Sequence, residues 1–278
     1  MVKQVAIVYK DSPKAARLAQ EAAAILEGEG LDIWAESSSA EPRREPPEGF
    51  SPELVISLGG DGTLLYAARA WGMTGIPMFG VNLGHLGFLA ETEPDQFTRI
   101  LKDVLIGNFR SERRMALEVS VERNGRIVAQ TLALNEIVIN KGALSRIITL
   151  NVKVKDFGRW TFRADGVIIA TPTGSTAYNL SAGGPVVYPT IPAILVTPIC
   201  PFTINSRPLI LPATYPVETV VDCRDTDIHL TADGQVSFPL QPGDRISARG
   251  HQDAINLIIN PQRSFIDVLR HKLNWAES

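Results

Sequence analysis

Asp61 is an acid where one is least expected. Residues 54–69 read LVISLGGDGTLLYAAR, a strand running through a glycine-rich turn into a helix. Gly59, Gly60 and Gly62 let the backbone approach a ligand with no Cβ in the way. Their N–H groups, followed by Thr63 at a helix start, favour an anion such as phosphate. A carboxylate among them repels bare phosphate, so Asp61 needs a task. Three tasks fit: holding Mg²⁺, taking a proton from a substrate hydroxyl, or capping a tight turn. The segment matches neither GxxxxGK[ST] nor GxGxxG, so any phosphate is cradled in another way.

Three further segments carry chemistry. Asn135 and Glu136 interrupt the apolar run LALNEIVIN. An amide donates and accepts, and a carboxylate can take two hydroxyl protons, as a ribose diol requires. An edge-strand pair or an ion pair would also account for them. From Arg163 the chain reads RADGVIIATPTGSTAYNLS. A buried strand leads into the hydroxyl-dense stretch Thr171 to Tyr178, with Gly174 for the turn. That stretch predicts a neutral hydrogen-bonding surface for a nucleotide, and Tyr178 a flat face for a base. A Ser/Thr turn capping a helix is the plainer reading. Ser175 is not in a GxSxG elbow, which argues against a serine hydrolase. Asp233-Gly234 is most simply a hairpin turn, with Gln235 able to reach a ligand. His85, His229, His251 and His271 have no metal-ligand spacing; His85, in a glycine-flanked loop, could line a pocket, and a solvated loop histidine is the plainer reading.

These residues need a scaffold. Val5–Tyr9 suits a strand buried on both faces. Ser12-Pro13 starts an Ala-rich helix that Gly28 and Gly30 stop. Leu31–Ala35, Leu54–Leu58 and Ile76–Val81 are further strands, and Leu64–Trp71 is helix-like. Another helix starts at Thr92 or Glu93 with Pro94, and its Phe97, Ile100, Leu101, Val104 and Leu105 share one face. The alternation predicts a parallel sheet with helices on its faces. Residues 37–49, with three prolines and five charges, predict a mobile surface loop.

Near residue 111 the periodicity becomes two. Leu117, Val119 and Val121 alternate with polar residues, Asn124-Gly125 predicts a hairpin turn, and 127–134 is its return strand. Strands follow at Ile148–Val154, around Trp160 and Phe162, and at Val167–Ala170, Ala193–Thr197, Val217–Val221 and Ile228–Ala232. The stretch after Thr176 is the best helix candidate. This half reads as a β-sandwich. Phe265, Val268, Leu269 and Leu273 predict a docked terminal helix.

Composition excludes several classes. The 278 residues are 45% hydrophobic and 21% charged, with net charge −3, which is globular and argues against a bulk basic nucleic-acid binder. No run approaches the ~18 apolar residues of a membrane helix. The N-terminal apolar run is too short for a signal peptide, and Cys200 and Cys223 lack CxxC spacing, so a soluble protein of the reducing cytoplasm is expected.

Read in order, GGDGT at 59–63, NLGHLGF at 82–88, NE at 135–136, DG at 165–166, TPTGSTAY at 171–178 and DGQ at 233–235 resemble the NAD kinase family. GGDG alone also occurs in phosphofructokinases and lipid kinases; TPTGSTAY downstream of GGDGT and NE is far more specific. The resemblance implies a two-domain α+β fold. It places an N-terminal Rossmann-like α/β domain with the phosphate loop over 1–110 and a C-terminal NAD-binding β-sandwich over 111–250. A tail over 251–278 packs back on the first domain, and the active site lies between the domains. The implied reaction moves a phosphoryl group from ATP, or polyphosphate, to the 2′-hydroxyl of the adenosine ribose of NAD, with a divalent metal such as Mg²⁺.

Carried over by motif, Asp61 is the base and Gly62 contacts the dinucleotide. Gly59, Gly60, Gly62 and Thr63 bind the donor's phosphates. Asn135 and Glu136 hold the adenosine portion, Glu136 at the ribose hydroxyls. Phe88, Arg146, Arg163 and Asp165, then Thr176, Ala177, Tyr178, Ser181 and Gln235, line the remainder. The resemblance also implies a homo-oligomer, dimer or tetramer, with residues near Arg146 reaching a neighbouring subunit's site. A lipid or sugar kinase built on the same GGDGT loop and a non-catalytic dinucleotide sensor are the alternatives.

Overall fold

Val5–Val8 have no exposed surface in the computed structural model, which describes residues 2–39, 45–72, 75–84, 87–142, 146–203, 205–222 and 227–273. His85, Cys223 and part of the proline-rich segment, residues 40–44, lie outside the described residues. The buried run forms β1 (Gln4–Tyr9). Helix α1 (Pro13–Gly28) follows, with Pro13 in its first turn and the Ser12 hydroxyl accepting the Ala15 N–H at 3.3 Å. It buries Ala15, Ala19, Ala22 and Leu26, one narrow stripe. Then come β2 (Asp32–Ser37), β3 (Leu54–Gly59), α2 (Asp61–Trp71), β4 (Pro77–Asn82) and α3 (Phe97–Leu105). A single 3₁₀ turn, Pro94–Gln96, precedes α3, which buries Phe97, Leu101 and Val104. All six residues of β3 are buried, as a strand covered on both faces requires.

These strands are parallel in the order β2-β1-β3-β4. Parallel pairing sends every strand to the same edge. Gly59 pairs with Asn82, so the turn after β3 and the loop after β4 leave side by side.

The chain then builds a second compact unit, Arg114–Ala254, the first being Met1–Arg113 with Ile255–Ser278. β5 (Arg110–Arg123) and β6 (Arg126–Ala133) are joined by Asn124-Gly125, whose φ angles of 51° and 77° make the predicted two-residue turn. β7 (Glu136–Lys141), β8 (Ile148–Val154), β9 (Gly158–Ala164) and β10 (Gly166–Ala170) lead to the short helix α4 (Tyr178–Ser181). β11 (Ala193–Ile199), β12 (Leu209–Pro212), β13 (Val217–Asp222), β14 (Ile228–Ala232), β15 (Val236–Leu240) and β16 (Arg245–Ile259) complete it, and α5 (Phe265–Leu273) follows. The antiparallel sheet β12-β11-β10-β7-β14-β15 shares one core with β5, β8, β13 and the first part of β16. Ile137, Ile139, Val167 and Ile169 meet Leu150, Val152 and Val217 there, a β-sandwich. The other face of β10 packs Ile168 and Ala170 with Val187, so β10 is buried on both sides.

Two expectations are corrected, and three strands add to those expected. The helix after Thr176 is a 3₁₀ turn and then a single turn, Tyr178–Ser181. Ser and Thr hydroxyls compete for the backbone there, and Gly183 at φ 83° ends it. Asn135-Glu136 does not interrupt a strand: Asn135 lies in the corner between β6 and β7, and Glu136 opens β7. β12, β15 and β16 were not predicted: β12 is four residues, β15 contains Pro239, and β16 crosses Gly250-His251-Gln252-Asp253 without clean alternation.

The end of the chain returns to the first unit. Asn256, Leu257 and Ile258 of β16 pair in parallel with Pro77, Met78 and Phe79 of β4. The Asn260 N–H then donates to Glu91 Oε2 at 3.0 Å, and Arg263 reaches Glu91 O at 3.2 Å and Glu93 Oε1 at 2.6 Å. Ser264 and Asp267 cap α5 reciprocally, and its Val268 and Leu269 are buried.

In the second unit, Asp244 is 1% exposed and takes both Arg123 Nε (2.9 Å) and Nη2 (2.7 Å). Burial pushes its carboxyl up, but the Arg123 and Gln241 hydrogen bonds outweigh that and hold it below the usual range. Arg123→Ala removes both guanidinium bonds and leaves this carboxylate the Gln241 N–H, so a loss of stability is expected. Urea unfolding at pH 7 reads it; a loss under roughly 0.5 kcal/mol would mark the pair as a surface contact.

Candidate active site

Asp61 opens α2, directly after the extended Gly60. Its carboxylate is held by three consecutive backbone amides from the loop after β4. Phe88 N–H donates to Oδ2 at 2.8 Å; Leu89 and Ala90 N–H each donate to Oδ1 at 3.0 Å. A carboxylate offers about four lone-pair sites, and these bonds fill three of them. The fourth is on Oδ2. Asp61 is half-buried and fixed, with one lone pair left for a hydroxyl or a metal.

The loop reaches Asp61 because side chains are missing where they would obstruct it. A Cβ on Gly87 would lie 2.0 Å from Asp61 Oδ1, and one on Gly59 would lie 2.1 Å from Thr63 Oγ1. Gly87 went unremarked in the sequence except within NLGHLGF. Thr63 is buried against the Gly59 turn. Leu83 N–H donates to Gly59 O at 2.6 Å and Gly84 N–H to Asn82 Oδ1 at 2.9 Å, which ties the two strand ends together. Gly60 differs: a Cβ there meets nothing within 4 Å. Its lack of a side chain has no internal explanation, and the space above it is free for a ligand. Gly62 is exposed beside it.

The second unit repeats the carboxylate device. Asp233 and Gly234 have φ of 50° and 64°, and Gln235 N–H donates to Ala232 O at 2.9 Å, so the predicted hairpin turn is present. The turn also delivers a carboxylate, which the sequence reading missed. Asp233 Oδ2 accepts Leu134 N–H (3.0 Å), and Oδ1 accepts Asn135 N–H (2.8 Å) and Glu136 N–H (3.2 Å). The carbonyls of the same corner are bonded too. Leu134 O takes the Thr171 hydroxyl at 2.6 Å, Asn135 O the Thr171 N–H at 2.8 Å, and Glu136 O the Asp233 N–H at 3.0 Å. Asp233 and Thr171 thus satisfy every backbone polar group of 134–136.

The corner presents Asn135, half-buried, and Glu136, 6% exposed. Burial pushes the Glu136 carboxyl up to about 8; the Asp233 charge adds to this, and the Tyr178 N–H bond opposes it. Among the described residues, Glu136 Oε2 and Thr173 Oγ1 of the hydroxyl-rich stretch are buried with no hydrogen-bond partner. Orphaned buried oxygens of this kind are what an arriving ligand with hydroxyls or amides can satisfy.

The hydroxyl-rich stretch is not the open surface expected. Thr171 is spent on the corner, and Ser175 exchanges hydrogen bonds with Val187 N (3.0 Å) and O (3.1 Å). Asn179 is fully buried between Ser175 O, Pro185 O and the Thr197 hydroxyl. Gly174 is required because a Cβ would lie 2.2 Å from Asn135 O. These groups hold the turn; Thr176 and Ala177 stay half-buried, and Tyr178 and Ser181 are exposed.

The structure therefore gathers Asn135, Glu136, Thr176, Ala177, Tyr178 and Ser181 at one end of the β7–β10 pair, with exposed Gln235 at the end of the Asp233 turn. It does not bring Arg146, Arg163 and Asp165 there. Ala170 pairs with Glu136, whereas Asp165 lies beyond Gly166 at the opposite end, about 16 Å along the strand. Asp165 faces Lys141 Nζ at 3.6 Å, Arg163 lies over Phe202 at 5.3 Å, and Arg146 precedes β8, whose Thr149 pairs with Arg163. In the first unit, Gly59, Gly60, Asp61, Gly62, Thr63 and Phe88 are gathered by the clamp on Asp61.

Residues 43–109 match the model of the ATP-NAD kinase N-terminal domain, and residues 134–259 that of the ATP-NAD kinase C-terminal domain. The chain is 42% identical to the NAD kinase of Geobacter sulfurreducens over 99% of this chain and 100% of that one. It is 39% identical to that of Solibacter usitatus over 100% and 99%. Among solved structures, yeast NADH kinase complexed with NADH matches with TM-score 0.85 at 26% identity, covering 100% of this chain and 89% of that chain. An NAD kinase from Archaeoglobus fulgidus in complex with ATP matches with TM-score 0.73 at 26% identity, covering 98% and 97%.

The Glu136 carboxyl has a stability signature. With its folded value near 8 and an unfolded value near 4.5, the folded chain keeps a proton that the unfolded chain releases. Its contribution is full below about 4.5 and is lost as the pH rises through about 8. Urea unfolding from pH 5 to 8.5 should show the wild type weakening across this window more than Glu136→Gln. Parallel curves would refute a buried neutral Glu136.

Proposed function

The chain belongs to the NAD kinase family, and from that premise we propose that it transfers a phosphoryl group from ATP, or from polyphosphate, to the adenosine ribose 2′-hydroxyl of NAD, forming NADP. The full-length relatives and the paired domain matches favour this over a lipid or sugar kinase or a silent sensor. The observation that carries the chemistry is the clamp on Asp61, which leaves one Oδ2 lone pair directed by three amides.

In this reading Oδ2 accepts the 2′-hydroxyl proton as the oxygen attacks the terminal phosphorus. The bond from that phosphorus to its bridging oxygen breaks, and ADP or the shortened polyphosphate leaves. Such a transfer needs placement and charge neutralisation more than covalent help. The glycine turn at Gly60 and Gly62 and the start of α2 receive the donor's phosphates, with Gly59 and Thr63 shaping the turn. Glu136 and Asn135 take the nucleoside, with Tyr178, Thr176, Ala177, Ser181 and Gln235 around it and Phe88 beside Asp61.

Among the described residues no group of three His, Cys, Asp or Glu stands ready to hold an ion. The divalent metal, Mg²⁺ in our reading, therefore arrives on the donor's phosphates as part of that substrate. Because Arg146, Arg163 and Asp165 lie at the far end of the sheet pair, we assign them to the site of a neighbouring subunit in a homo-oligomer. A cytoplasmic home fits the free thiol of Cys200 and the absence, among the described residues, of any helix long and apolar enough to cross a membrane.

A coupled NADP⁺ assay with ATP or polyphosphate tests the reaction. Base assistance is worth ~10²–10⁴-fold, so Asp61→Asn should cut turnover at least ~100-fold. Near-normal NADP⁺ formation by that variant removes Asp61 from the role. Gly60→Ala should unfold like the wild type, since its Cβ enters open space, yet lose at least about tenfold in kcat/KM for the donor, ~1.4 kcal/mol. Unchanged donor kinetics would move the phosphates elsewhere.

A further inference from the structure

We propose that Asp233 is a positioning residue for dinucleotide binding: by holding the amides of Leu134, Asn135 and Glu136 it sets the aim of the Asn135 and Glu136 side chains. The inference rests on the proposed NAD site but concerns a residue outside the set that touches substrate. Leu134 and Asn135, between β6 and β7, have no ladder of their own, and Glu136 opens β7. The three N–H groups all end on the Asp233 carboxylate, at 2.8–3.2 Å, and Asp233 returns its own N–H to Glu136 O. Buried amides without acceptors are costly, so a corner that lost this carboxylate would turn its amides elsewhere and rotate both side chains. Thr171 and Gly174 press on the carbonyl side of the same corner, which leaves Asp233 as the support on the amide side.

Asp233 also acts through its charge. Glu136 faces Asp233 from the β14–β15 turn and the Tyr178 N–H from α4; among the described residues Asp233 is the charged group that acts on it. An ionised Asp233, fixed by three donors, disfavours a second charge on Glu136 and helps keep that carboxyl a hydrogen-bond donor. Asp233 thus bears on both the position and the protonation of Glu136, its charge adding to the larger effect of burial.

Asp233→Asn separates this role from a merely structural one. The amide oxygen can keep the Asn135 and Glu136 bonds, while the Leu134 bond and the charge are lost. With saturating ATP and Mg²⁺, KM for NAD⁺ should rise about three- to tenfold with kcat within about twofold. The limb of the KM profile, and the Glu136 carboxyl titration followed by carbon NMR, should both move to lower pH. Asp233→Glu, which restores the charge but not the reach, should return the titration toward the wild-type value without restoring KM. Asp233→Ala should weaken NAD⁺ further if it folds, as circular dichroism will show.

An Asp233→Asn protein with lowered unfolding midpoint but unchanged KM and unchanged Glu136 titration would overturn the proposal. If the wild type makes no NADP⁺, the functional reading fails. Calorimetric NAD⁺ affinity of wild type against Asp233→Asn then still decides this one, and absence of NAD⁺ binding by the wild type overturns both.

Discussion

A carboxylate that gathers three consecutive backbone amides is the interaction on which both halves of this protein depend. Loops at strand ends have no ladder to satisfy them, and a buried N–H without an acceptor costs about as much as a lost hydrogen bond. An ionised carboxylate is the side chain best able to accept several such donors at once, through charge-assisted bonds. Asp61 does this for residues 88–90 and Asp233 for residues 134–136. In each case the acid sits in a glycine-bearing turn, and the segment it organises carries irregular backbone that would otherwise be free to move. The consequence differs. Asp61 is both the clamp and, in the proposed reaction, the group that meets the substrate hydroxyl; Asp233 clamps while its neighbour Glu136 is presented.

Glycines sort by the same logic. Gly59, Gly87 and Gly174 are needed because a Cβ would strike Thr63, Asp61 or the Asn135 carbonyl. They let one segment lie directly on another and so bring a clamp within hydrogen-bond range. Gly60 satisfies no such internal demand. A glycine in a motif therefore carries two different meanings, and the sequence GGDG shows both side by side.

Much of this could be read from the chain alone, because it was written in periodicity and punctuation. The buried runs Val5–Val8 and Leu54–Gly59, the Ser12-Pro13 start of α1 and the Asn124-Gly125 turn each follow from local rules. The two-part α+β architecture followed from the change of period near residue 111. What could not be read is long-range. Nothing local to Asp233 says that its carboxylate lands on residues 134–136, and nothing in Thr171 or Ser175 says that their hydroxyls turn inward. Type and spacing suggested an open hydroxyl surface; the need to satisfy a buried corner used those groups instead. Short or irregular strands such as β12 and β15 were invisible for a related reason, since their partners, not their own pattern, make them strands.

The return of the chain after Ala254 orders events in time. Residues 255–263 add a parallel strand beside β4 and fasten Glu91 and Glu93, immediately after the amides that grip Asp61. A ribosome finishes the whole of Arg114–Ala254 before it delivers that strand, a delay of order ten seconds at ordinary elongation rates. The inserted sandwich can mature first, while the nascent α/β unit waits with an unpaired β4 edge. The β4 edge, and the fastening of the segment that follows the Asp61 clamp, are thus completed late in biosynthesis.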